Sequence, residues 1–182
     1  MRALSILLII GLAPSLLSSQ VCTSVDRNSV TKAQLEDIRK IMEKVEKRYK
    51  KPIKNKKKKQ ISIYQAAVKY NLNVRHLAAI IAVESAFKLR AVNKKSNDYG
   101  IAQINYKNIA ARKLDKARLL QDLDYSVAAG AKILAEKQKR YEHKESLWYC
   151  RYNVGTGAYR KIEKGCKKYA NRVNYYLISE VR

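Results

Sequence analysis

Leu77-Ala78-Ala79-Ile80-Ile81-Ala82-Val83-Glu84-Ser85 is an apolar run that ends on a carboxylate. Leu77, Ile80, Ile81 and Glu84 fall at i, i+3, i+4 and i+7, so on a helix they share one face. A carboxyl group on that stripe is desolvated, which disfavours its charged form and raises its pKa. A carboxylic acid still protonated near neutral pH can serve as a general acid. The competing reading is a glutamate that bends out to solvent or pairs with a lysine, the commoner fate of this residue type.

Working outward, Asn73 is placed to cap this helix, which the spacing carries to near Phe87. Upstream, residues 61–70 read as a helix. Before that, Leu35, Ile38, Met42, Val45 and Tyr49 recur at helical spacing over 31–50, behind the capping box Thr31-Lys32-Ala33-Gln34 and ahead of Pro52. Downstream, 88–100 is polar and turn-like, with Asn93, Asn97 and Asp98. Residues 101–111, 122–141, 146–153, 156–163 and 169–181 read as helices, with Gly165 as a C′ stop for the 156–163 segment. The small residues Ala128, Ala129, Gly130 and Ala131 permit close helix packing. No strand run or internal repeat is visible, so the fold class is all-α.

The chain has 182 residues, and its formal net charge is +24 from 39 Lys+Arg against 15 Asp+Glu. That balance calls for an anionic partner: nucleic acid, a membrane surface, or an acidic polymer such as a wall polysaccharide. Seven lysines lie within Lys50 to Lys59. Such a run reads as a solvated, mobile linker, or else as an electrostatic tether. At the N-terminus, Met1-Arg2 precedes an apolar stretch from Ala3 to Ala13, too short to span a bilayer comfortably. With Pro14 and the small residues near Ser19, it reads as a signal peptide over 1–19, against the alternative of a retained anchor. Export argues against an intracellular nucleic-acid role. The expected division is therefore 1–19 signal peptide, 20–59 basic extension and 60–182 compact domain, with a helix over 31–50 and a Lys-rich linker over 50–59 in the extension.

An exported chain tolerates disulfides. Cys150 and Cys166 both lie in the C-terminal third and form the favoured pair. Cys22 is then free, paired between chains, or removed with the signal. His76 and His143 are far apart and no CxxC or HExxH spacing occurs, so no metal site is expected.

Four short motifs follow in order: Glu84-Ser85; Asp98-Tyr99-Gly100-Ile101-Ala102-Gln103-Ile104-Asn105; Tyr152-Asn153-Val154-Gly155; and Tyr169-Ala170-Asn171-Arg172-Val173. Together they resemble the lytic transglycosylase domain of the soluble-transglycosylase type, related to goose-type lysozyme, across 60–182. The Asn-rich loop before Gly100 and the ending Gln103-Ile104-Asn105 look most like the small exported members that accompany secretion, conjugation or pilus machines. Two positions depart from the family pattern. Ala102 stands where Met is usual, a side chain that helps form the sugar-binding wall, and Ala170 replaces Val.

The resemblance implies a lysozyme-like domain that cleaves the β-1,4 bond between N-acetylmuramic acid and N-acetylglucosamine in peptidoglycan. One glutamate, Glu84, protonates the leaving oxygen and then accepts the proton of the muramoyl C6 hydroxyl as it attacks C1. The product is a 1,6-anhydro sugar. No second carboxylate is required, unlike in ordinary glycoside hydrolysis, and Asp98 reads as a loop or cap residue. Gln103, Tyr152 and Asn153 are expected to supply donors around the transition state. Tyr169 is expected to hold the Glu84 carboxyl. Ser85, grouped with these substrate-site residues, reads as an orienting residue, because no His or Lys base accompanies it. The implied protein is a monomer in the periplasm or cell envelope, without cofactor or metal, acting on glycan strands and opening the wall for an envelope machine. The rival readings are a lysozyme-type hydrolase on the same fold and a noncatalytic basic adaptor bound to the wall. A nucleic-acid-binding protein explains the charge but neither the signal segment nor the motif series.

Overall fold

The structure is a computed structural model and describes residues 27–155, 157 and 159–178. The signal segment 1–19 and Cys22 lie outside the described residues. Among the described residues, eight α-helices run in the order α1 (Arg27–Tyr49), α2 (Lys56–Lys69), α3 (Val74–Ser85), α4 (Tyr106–Ala111), α5 (Lys116–Gln121), α6 (Leu123–Tyr141), α7 (Arg151–Val154) and α8 (Tyr159–Leu177). A 3-10 turn, Trp148–Cys150, precedes α7.

The apolar run forms α3, the axis of the molecule. Nine of its 12 residues are buried, so the helix is apolar nearly all round, as expected of one enclosed by others. Asn73 caps it as its sequence position predicts, accepting from Arg75 N at 2.9 Å and His76 N at 3.2 Å. α1 and α8 pack against α3, while α2 bridges α1, α3 and α6. Ile38, Ile41, Met42 and Val45 of α1 are buried in the same core as α3. The boundary expected near residue 60 therefore falls within a shared core and inside α2. Lys56 to Lys59, expected in a linker, form the first turn of that helix.

Several expectations need correction. α1 begins before the proposed capping box. Thr31 is thus interior to the helix, and its hydroxyl pairs with the Tyr64 hydroxyl at 3.0 Å. Between α3 and α4 lie three two-residue antiparallel strands, β1 (Val92–Asn93), β2 (Asp98–Tyr99) and β3 (Ile104–Asn105), in the order β1-β2-β3. Val92 faces Tyr99, and Tyr99 faces Ile104. The helix expected over 101–111 is thus shortened to α4, which Asn105 caps through Lys107 N. Gly165 does not stop a helix: α8 runs through it. A Cβ there would lie 3.3 Å from Val154 Cγ1, so the missing side chain lets α8 sit close to α7. The Cys150–Cys166 disulfide joins the 3-10 turn to α8, with Cα atoms 5.1 Å apart.

Candidate active site

Glu84 lies in the last turn of α3, one residue before Ser85, and Ala86 follows in the left-handed conformation at φ 50°. The side chain is half-buried. The Tyr169 hydroxyl, from α8, donates to Glu84 Oε1 at 2.6 Å. Burial pushes the Glu84 pKa up to about 7. The Tyr169 hydrogen bond and the Arg172 charge pull it down, and the Asp98 charge adds to the rise. A carboxyl group near pH 7 can both give and take a proton. Tyr169 and Tyr152 are held far above the usual tyrosine range by burial and the Glu84 charge, so both remain hydroxyl donors.

A second layer positions these groups. Tyr152 OH donates to Ala102 O at 2.8 Å. Ala102 is buried against α6 at Gly130, where an added Cβ would lie 2.4 Å from Ala102 Cβ and 3.2 Å from Tyr152 OH. Ala102, which departs from the Met of the pattern this chain resembles, is a small buried side chain facing a glycine, and it presents almost no surface to a ligand. Arg172, one helical turn beyond Tyr169, donates to Val83 O at 2.9 Å and ties α8 to the backbone beside Glu84. The motif containing Arg172 was legible, but its role was not. The i, i+3 spacing of Tyr169 and Arg172 is the signal that would have placed both on one face.

The structure brings together Glu84, Tyr169 and the Tyr152–Ala102 pair. Gln103, expected to donate to a ligand, sits at φ 48° and turns its Nε2 to Ala91 O at 3.1 Å and Gly100 O at 2.9 Å. Only its carbonyl end is left to meet a ligand. Ser85, grouped with the substrate contacts, is buried and donates to Ile101 O at 2.6 Å; it pins the strand loop and is closed to ligand. Asn153 is exposed, and its amide makes no hydrogen bond within the described residues. Asp98 accepts from Asn105 Nδ2 at 2.8 Å and pairs with the Ser96 hydroxyl, so it locks the β2–β3 hairpin. His76 packs on Tyr149 at 5.3 Å between ring centroids, and burial lowers its pKa. Among the described residues no three His, Cys, Asp or Glu side chains converge as a metal site. None of the described helices is long and apolar enough to cross a membrane.

The chain belongs to the transglycosylase SLT domain family, which it matches over residues 61–174. It is 33% identical over 127 residues to invasion protein IagB of Salmonella typhi, covering 64% of this chain and 76% of that one. It is also 33% identical over 117 residues to invasion protein IagB of Salmonella typhimurium strain SL1344, covering 60% and 70%. No solved structure matches the chain.

Proposed function

We propose that this protein is an exported peptidoglycan lytic transglycosylase. It cleaves the β-1,4 bond between N-acetylmuramic acid and N-acetylglucosamine, and Glu84 carries both proton transfers. The observation that carries the reading is the Glu84 carboxyl itself, half-buried, with a pKa of about 7 and a hydrogen bond from Tyr169. Protonated, it gives its proton to the leaving glycosidic oxygen. Ionised, it takes the proton of the muramoyl C6 hydroxyl, and the ring closes to a 1,6-anhydro product. Tyr169 keeps the carboxyl oriented between the two steps. Tyr152 sets the Ala102 backbone that borders the site. Asn153 and the Gln103 carbonyl are the polar groups open to the sugar. Asp98, held in its hairpin, raises the Glu84 pKa and is not needed as a second carboxylate. The basic surface retains the protein on an anionic envelope. A role in opening the wall for a secretion, conjugation or pilus apparatus belongs to this proposal, supported by the likeness to proteins named for invasion.

The test is mass spectrometry of the soluble products after the protein digests purified peptidoglycan, with Glu84→Gln alongside. The expected result is fragments ending in 1,6-anhydro-muramic acid, absent with the variant. Reducing-end fragments would instead assign hydrolysis and make Asp98 the second carboxylate. Wall binding without any product from the folded wild-type protein would assign the adaptor role.

A further inference from the structure

A cavity of about 830 Å³ opens between the α1–α2 loop, the first turn of α2 and the turn that follows α3. Six cations line it: Lys51, Lys54, Lys58, Lys59, Lys88 and Arg90. No Asp or Glu does. Val45, Phe87 and Leu123 form apolar parts of its lining. Glu46 braces the loop from outside the lining, accepting from Ile53 N at 2.7 Å and Lys56 Nζ at 3.0 Å.

The local electrostatics are unfavourable as they stand. The N-terminus of a helix carries a partial positive charge and open N–H groups, which acidic or capping side chains normally satisfy. α2 opens instead on four consecutive lysines, Lys56 to Lys59, with no acid in its first turn. Asn55, at the N-cap, is left-handed at φ 54° and its side chain caps nothing. Lys59 sharpens the point. It is only 8% exposed, its Nζ donates to Lys54 O at 2.5 Å, and among the described residues it forms no ion pair with a carboxylate. Burial pulls its pKa below the usual lysine range. An ammonium has three donors, so Lys59 keeps capacity for an acceptor beyond Lys54 O.

We propose that this cavity binds a phosphate group, held by Lys58, Lys59, Lys88 and Arg90 of its lining. A phosphate supplies several acceptor oxygens and up to two negative charges at one point, which suits a cavity lined by several cations. The cavity takes a single headgroup rather than the backbone of a nucleic-acid duplex, which needs an extended basic track. The site is independent of the reading of Glu84 and stands or falls by its own test.

In that test, inorganic phosphate is titrated into the full chain at constant ionic strength while the backbone amide signals of Lys58, Lys59, Lys88 and Arg90, which line the cavity, are followed by NMR. The expected result is saturable shifts at those amides. Lys58→Gln/Lys88→Gln is expected to weaken binding roughly tenfold, and Lys107→Gln/Lys132→Gln, an equal loss of charge at exposed positions outside the cavity, to leave it unchanged. All four side chains are exposed, so neither variant threatens the fold. Shifts that never saturate, or equal weakening in both variants, would reduce the effect to general screening and overturn the site. Vesicles containing phosphatidylglycerol then identify the source. If they displace inorganic phosphate where phosphatidylcholine vesicles do not, the phosphate arrives on an anionic lipid. If neither does, the bound phosphate is a soluble one.

Discussion

The Glu84 pKa of about 7 makes two separate demands. In the proposed mechanism Glu84 enters the reaction protonated, and that fraction falls about tenfold for each pH unit above the pKa. The kcat/KM profile is therefore expected to fall above about pH 7. Removing the Tyr169 hydroxyl, which lowers the pKa, shifts that limb upward in Tyr169→Phe. Stability follows from the same shift. The folded pKa lies above the ordinary value of 4.5, so the favourable contribution of the neutral acid is complete below that value and is lost as pH rises through about 7. Fully ionising the carboxyl then costs on the order of 3 kcal/mol. Glu84→Gln, which cannot ionise, is expected to match the wild type near pH 4 and to exceed its stability by about that amount near pH 8, as read by urea unfolding at the two pH values. A difference that stays constant across the range would mean an ordinary surface carboxylate. Sequence order alone brought Glu84, Tyr152 and Tyr169 into view, because their side chains are the motif. The inward turn of Ser85 and of the Gln103 amide was not visible, because their partners are the backbone carbonyls of Ile101, Ala91 and Gly100. Carbonyls leave no trace in residue identity.

At the scale of elements, the site depends on how closely α6 approaches the strand loop. Gly130 and Ala102 occupy one contact, and a methyl group added at Gly130 lies 2.4 Å from Ala102 Cβ. Gly130→Ala is expected to destabilise by about 1–3 kcal/mol through overpacking and to lower activity by displacing the acceptor of Tyr152. Ala102→Gly vacates the same space, so the double variant is expected to recover much of the loss. A double-mutant cycle reads this directly, since residues in contact couple and distant ones add. Purely additive losses would show that the two elements do not press on each other there. The long helices were legible because their apolar positions repeat over several turns, and α3 and α6 begin close to where Asn73 and Asp122 cap them. The three strands were not, since two residues carry no measurable alternation. Gly165 misled for a related reason. In sequence a glycine marks a stop, but here it marks a close contact, which only the partner Val154 reveals.

At the scale of the molecule, the question is whether α1 is an appendage or part of the body. The family match begins at residue 61, and the charge run at Lys50 to Lys59 reads from sequence as a flexible divide. The packing points the other way. Ile38, Ile41, Met42 and Val45 are each at most 3% exposed, all within the core that encloses α3. Burying four such side chains contributes about 2 kcal/mol each, or roughly 8 kcal/mol together. That is comparable to the whole stability of a typical domain, about 5–15 kcal/mol. The uncovered flank of α3, the helix that carries Glu84, would add further exposed apolar surface. A chain spanning 51–182, which keeps α2 intact, is therefore expected to lose its cooperative urea transition, measured by near-ultraviolet circular dichroism, while the full chain unfolds in one step. It is also expected to lose the proposed peptidoglycan cleavage, because the helix that carries Glu84 is no longer held from behind. A 51–182 chain with the midpoint and turnover of the full chain would make α1 a true extension, with its apolar face free for another partner.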